Sequence, residues 1–220
     1  MVEEINLKIL IIGDPNSGKT QLILKYVDGY FPSLYIPSIG VEFKIKKLKY
    51  KDIEINLQIW NSIGIERFKS VTKNSLRGTD GIIYLYDITN QNSLYFVKNI
   101  ILFAEELEPN IKKILVGNNL DLEEERKVSR EAVKKYCDKH NIKEIEVSTK
   151  LGTNVSECFE LLVESIIGNM SKKELLKKYG DKNKGRSKKR IKSNDKLDKK
   201  DDEIKGEGKK FPKLEKYISF

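Results

Sequence analysis

Residues 7–12 (Leu-Lys-Ile-Leu-Ile-Ile) are almost wholly apolar and run into Gly13, the pattern of a strand covered on both faces. Residues 13–19 read as a loop, after which Leu22, Ile23 and Tyr26 recur at helical spacing across residues 20–26. Apolar and polar positions then alternate over residues 41–50 and again over 53–60, which predicts two strands joined by a tight turn. Shorter apolar runs at 81–86 and 114–116 predict two more buried strands. Three amphipathic helices are predicted. The first covers 94–107, with Leu94, Val97, Ile101, Leu102 and Leu107 as its apolar stripe. The second covers 129–140 and opens on Ser129, a good N-cap. The third covers 155–167, where Val155, Phe159, Leu162, Val163, Ile166 and Ile167 repeat with helical period and Asn154 is available as the cap.

Short apolar strands alternating with amphipathic helices predict an α/β fold, a doubly wound and mainly parallel sheet with helices on both faces. In such sheets ligands sit at the carboxyl ends of the strands. The functional loops are therefore expected after Ile12, Trp60, Val116 and Val147.

Composition changes this picture in one place. The 220 residues carry a net charge of +9, with 39% hydrophobic and 34% charged residues. Residues 171–220 hold 19 Lys plus Arg against 9 Asp plus Glu, or +10, which leaves 23 against 24, or −1, for the first 170. The basic excess therefore lies in the tail. A sharp fall in apolar content near Met170 sets the expected boundary: a folded domain over 1–170 and a Lys-rich, mostly disordered tail over 171–220. Cys137 and Cys158 fall inside helical patterns and fit neither a disulfide framework nor a zinc site, so a reducing, cytoplasmic setting is expected. No N-terminal apolar run and no stretch long enough to span a membrane is visible, and Val2 does not fit N-myristoylation.

The loop Gly13-Asp14-Pro15-Asn16-Ser17-Gly18-Lys19-Thr20 fits G-x-x-x-x-G-K-[ST], between a predicted strand and a predicted helix. Glycines let the backbone N–H groups of such a loop turn towards phosphates. Lys19 can reach the terminal oxygens, and the Thr20 hydroxyl can ligate Mg²⁺. The helix that follows aims its positive end at the anion. Gly13, Asp14, Asn16, Ser17, Gly18, Lys19 and Thr20 are the predicted phosphate-binding residues.

From about Leu7 to Ile167 the chain resembles a Rab small GTPase. The resemblance is carried, in order, by that loop, by Ser38-Ile39-Gly40-Val41-Glu42-Phe43, and by Leu57-Gln58-Ile59-Trp60. It continues through Gly64-Ile65-Glu66-Arg67-Phe68, Gly117-Asn118-Asn119-Leu120-Asp121-Leu122 and Ser148-Thr149-Lys150. It implies a six-stranded sheet, GTP or GDP with Mg²⁺ as ligands, and a monomer that binds effector proteins in its GTP state and meets exchange factors and activators. Asn118 and Asp121 resemble the guanine motif N-K-x-D. The Asp121 carboxylate would accept from the two guanine donors that adenine lacks. Asn119, Ser148, Lys150 and Thr149, whose N–H would meet the guanine carbonyl, complete that pocket by resemblance, with Phe31 packing on the base. Ser38 resembles the switch residue that ligates Mg²⁺ beside Thr20 and Asn61, and Gly64 the glycine whose N–H meets the γ-phosphate. Losing that phosphate would release both segments. Ile39, Gly40, Val41, Glu42, Phe43 and Trp60 are the implied effector surface, with Ser75 where the family has a third aromatic. Buried strand positions remain the alternative for Phe43 and Trp60.

Several positions depart from the family. D-T-A-G-Q-E reads as Asn61-Ser62-Ile63-Gly64-Ile65-Glu66. Ile65 has no polar atom with which to orient water, which implies slow hydrolysis. Asn61 removes a full charge near the metal, which implies weaker metal retention. Asn119 replaces a lysine whose stem would pack along the base. Asn16 and Ser17 stand where Rabs commonly have Gly and Val. No cysteine follows Cys158, which speaks against prenylation.

The basic cluster Lys188-Lys189-Arg190-Ile191-Lys192, flanked by Lys182, Lys184 and Arg186, is open to anionic membrane, an import receptor with nuclear entry, or RNA. A plain solvated tail is the competing expectation, since Asp201-Asp202-Glu203 opposes all three. Three functions stay open at this point. One is a GTP-regulated switch of vesicle trafficking, cytoplasmic or peripheral at membranes. Another is a competent hydrolase that positions water by other means. The last is a nucleotide-poor scaffold with a basic tail.

Overall fold

The computed structural model describes residues 3–32, 43–50, 52–61, 76–168 and 170–180. Six strands form one sheet in the order β2-β3-β1-β4-β5-β6. They are β1 (Glu3–Gly13), β2 (Phe43–Tyr50), β3 (Ile53–Asn61), β4 (Gly81–Asp87), β5 (Lys112–Asn118) and β6 (Lys143–Glu146). Every pairing is parallel except β2 with β3, the predicted hairpin. The expected doubly wound α/β class is thus observed.

The alternation of side chains along β1 assigns the two faces. Ile5, Leu7, Ile9 and Ile11 point to one side, where they join Leu22, Ile23 and Tyr26 of α1 (Lys19–Asp28) and Phe159, Leu162 and Ile166 of α4 (Val155–Ile167). Leu10 and Ile12 point to the other. There they meet Leu94, Val97 and Ile101 of α2 (Gln91–Leu107) and Val133 and Cys137 of α3 (Arg130–His140). β4 and β5 divide likewise, Ile83, Leu85, Ile114 and Val116 against Ile82, Tyr84, Tyr86 and Leu115. A strand covered on both sides has no polar face to show, which is why these segments read as continuous apolar runs. Stacking of Tyr26 on Phe159, with ring centroids 3.7 Å apart, locks α1 against α4.

Predicted helix starts fare unequally. Ser129 caps α3, its hydroxyl accepting from the Ala132 N–H at 3.3 Å. Asn154 does not cap α4. It adopts φ 57°, and its side-chain amide donates to the Glu146 carbonyl at 2.8 Å, so it ties the helix to the end of β6. Both cysteines are buried and free, and burial pushes the Cys137 thiol up to about 12, leaving it a core side chain rather than a thiolate.

The compact unit runs on past Met170 to Gly180. Ser171 and Glu174 form a reciprocal capping box that starts α5 (Lys172–Leu175), followed by a wide helical turn, Leu176–Gly180. Leu175 and Tyr179, one helical turn apart, enter the core on the α1 and α4 side, and Lys172 pairs with Glu3 at 2.6 Å. The surrounding lysines lower the mean hydropathy enough to mask those two anchors. Residues 181–220, with the basic cluster, lie outside the described residues.

Candidate functional site

The carboxyl ends of β1, β3 and β5 and the loop after β6 bring most of the predicted residues to one edge of the sheet. The loop after β1 closes on itself, the Ser17 N–H donating to the Asp14 carbonyl at 3.0 Å. Gly18 takes φ 92° immediately before α1. A Cβ there would stand 2.2 Å from Asn118 Nδ2, and one on Gly13 would stand 2.4 Å from the Leu85 carbonyl oxygen. Both glycines are therefore required by close approach, and Gly18 by its backbone as well. Lys19 is buried, and its ammonium donates to the carbonyls of Gly13 at 3.0 Å and Asp14 at 2.9 Å, which aims it across the mouth of the loop. The Ser17 hydroxyl is buried and meets no hydrogen-bond partner among the described residues.

The second half of the site is a set of buried cross-braces. Asn118, 1% exposed at the end of β5, donates from Nδ2 to the Ser17 carbonyl at 3.0 Å and accepts at Oδ1 from the Thr149 N–H at 3.3 Å. One amide thus joins the phosphate loop, the loop after β5 and the loop after β6. Sequence reasoning placed Asn118 in the base motif but missed this bracing, because the contact to Ser17 spans 101 residues. The Ser148 hydroxyl donates to Asp121 Oδ1 at 2.6 Å and accepts from the Leu151 N–H at 3.0 Å, fixing the carboxylate in direction. Asn119 holds φ 69°, a left-handed conformation that asparagine adopts more readily than most side chains. Behind Asp121, Arg126 donates to both Glu123 and Glu146, and Arg130 does the same. The hydrogen bond from Arg126 holds the Glu123 carboxyl below its ordinary range.

A Ras family model matches residues 8–168 of this chain. Rab-13 of Rattus norvegicus is 38% identical over 161 residues, which cover 73% of this chain and 79% of the relative. Rab-8B of Pongo abelii is 37% identical over 167 residues, 76% and 81% of the two chains, and Rab-1 of Theileria parva is 37% identical over 161 residues, 72% and 73%. The chain belongs to the Rab-type small GTPases of the Ras family.

Within this Rab-type GTPase the corner expected to receive magnesium holds Asn61 and Thr20. Asn61, buried at the end of β3, donates from Nδ2 to the Thr20 hydroxyl oxygen at 3.0 Å. Mg²⁺ favours anionic oxygen ligands in strict octahedral geometry. Here the two described candidates form a neutral amide–hydroxyl pair bonded to each other, and no group of three or more His, Cys, Asp or Glu able to hold a metal exists among the described residues. The residues present fit the ion poorly.

Phe43 and Trp60 face each other across β2 and β3, with ring centroids 4.5 Å apart. Phe43 is 41% exposed, whereas Trp60 is half-buried, packs against the second core and has the Lys8 ammonium 5.7 Å from its ring. In this pair of the Rab-type chain, Phe43 is the exposed aromatic and Trp60 its half-buried support. Phe31 is half-buried beyond the end of α1, and Lys150 is exposed. Ser38, Ile39, Gly40, Val41, Glu42, Gly64, Ile65 and Ser75 lie outside the described residues. No helix among the described residues is long and apolar enough to cross a membrane.

Proposed function

We propose that this chain is a guanine-nucleotide switch of vesicle trafficking that hydrolyses GTP slowly and reports its state to effector proteins. The observation that carries this reading is the Asp121 carboxylate, oriented by Ser148 at 2.6 Å, beside the Asn118 brace that joins the neighbouring Thr149 to the phosphate loop. A carboxylate in that position pairs with the two adjacent donors of guanine. Adenine lacks that donor pair and would leave the carboxylate's remaining acceptor capacity unmet, a discrimination of several kcal/mol. Lys19 and the N-terminus of α1 supply the positive counterpart to the phosphates.

Slow hydrolysis follows from Ile65. Phosphoryl transfer to water depends on positioning and electrostatics, and an aliphatic side chain orients no water. The GTP state would then persist until an activator supplies the missing group. Phe43, half-supported by Trp60, together with residues 39–42, is the surface on which effectors would dock, an exposed aromatic anchor being typical of such sites. The trafficking role rests on the Rab relatives, and peripheral membrane attachment is part of the same reading.

Two measurements test it. The nucleotide that copurifies with the chain is expected to be GDP or GTP, and guanosine nucleotides are expected to raise the melting temperature where adenosine nucleotides do not. Equal shifts with both, or none, would refute the reading. Single-turnover cleavage of loaded GTP is expected to fall below that of a Rab carrying glutamine at the position of Ile65.

A further inference from the structure

We propose that this chain holds its guanine nucleotide with little dependence on Mg²⁺, because the corner that would receive the ion is closed by the Asn61–Thr20 amide–hydroxyl pair. The inference rests on the proposed nucleotide-binding function and concerns the same pocket.

Two physical arguments support it. The first is charge. A divalent ion gains most from full negative charge nearby, and an amide offers only a dipole. An amide has a donor end and an acceptor end and can bond a hydroxyl in either sense, but in neither sense is it charged. The second is occupancy. A hydroxyl oxygen has two lone pairs, and Nδ2 of Asn61 engages one of them at 3.0 Å. Asn61 is 2% exposed, so pulling Thr20 away towards an ion would cost a buried hydrogen bond. The pair competes with the ion for the same oxygen.

Retention must then come from the rest of the pocket, where the contacts are of another kind. Lys19 is pinned by two loop carbonyls, and Asn118 ties Ser17 to Thr149. None of these bonds involves a metal ligand. Release of nucleotide would be governed by the base half and Lys19 rather than by departure of an ion. An exchange factor acting by expelling the metal would accelerate this chain little.

The test uses the whole 220-residue chain loaded with fluorescent GDP and chased with excess unlabelled GDP, in Mg²⁺ and in EDTA. The two release rates are expected to differ by less than about fivefold. Asn61→Asp restores a carboxylate and is expected to widen the ratio, chiefly by slowing release in Mg²⁺. A wild-type ratio above about fivefold, or an unchanged ratio in folded Asn61→Asp, would overturn the inference. Calorimetric titration of Mg²⁺ into the GDP-loaded wild type decides the matter without any variant. Binding weaker than about 0.1 mM supports the inference and tighter binding overturns it. Failure to retain labelled GDP in either buffer would instead remove the proposed function, and this inference with it.

Discussion

The two ends of the nucleotide pocket are built from different materials. At the candidate base end, Asn118, Asp121, Ser148 and Thr149 take part in directional hydrogen bonds, buried or partly buried, that cross between loops. At the candidate metal end, Asn61 and Thr20 are joined by a neutral amide–hydroxyl bond, and in the sequence Ile65 replaces the family's polar residue. The difference follows from what each end contributes to folding. Removing one member of a buried hydrogen-bond network leaves its partners unsatisfied, so the base end is held by the stability of the fold as well as by its ligand. A carboxylate serving a metal through solvent has no such obligation to the fold. Asn61, isosteric with aspartate, finds a protein partner of its own in Thr20.

That contrast can be broken most sharply at Asp121. Asp121→Ala is expected to lower the preference for guanosine over adenosine nucleotides by about a thousandfold, measured by competition binding, since the base donors lose the carboxylate that Ser148 orients. Gly18→Ala comes next. Its Cβ would collide with Asn118 Nδ2 at 2.2 Å on a backbone at φ 92°, and nucleotide affinity is expected to fall by about a hundredfold with a lowered melting temperature. Ile65→Gln, at the other end, is expected to raise single-turnover GTP cleavage by about tenfold while leaving stability unchanged. The smallest effect concerns Glu123 behind the base end. Hydrogen bonding to Arg126 depresses its folded pKa below the ordinary 4.5, so its contribution is complete above that value and fades as pH falls through the folded one. Glu123→Gln is expected to lower the urea midpoint slightly near neutrality, and the difference from wild type is expected to vanish in acid.

The base end was also the more legible in sequence. The glycines of residues 13–20 declare themselves by their spacing in a phosphate-loop pattern, and Asp121 by its resemblance to the family's base motif. The six strands were legible in part, since a doubly covered sheet forces apolar runs such as residues 7–12 and 81–86. What composition and spacing could not show is which side chains bond one another across the fold. The Asn118–Ser17 brace and the Asn61–Thr20 pair each join residues far apart in the chain, and Asn154, expected to cap a helix, turns to the Glu146 carbonyl. Local signals were also outweighed by averages. Ser171 and Glu174 carry a capping-box signature, yet the lysines around them made the segment read as solvated tail.

That last segment has a practical consequence for anyone shortening the gene. A stop codon after Met170, which the hydropathy profile invites, would delete Leu175 and Tyr179 and leave the outer half of β1 wet, at about 2 kcal/mol for each lost side chain. Truncation after Gly180 retains both anchors and is the version to express.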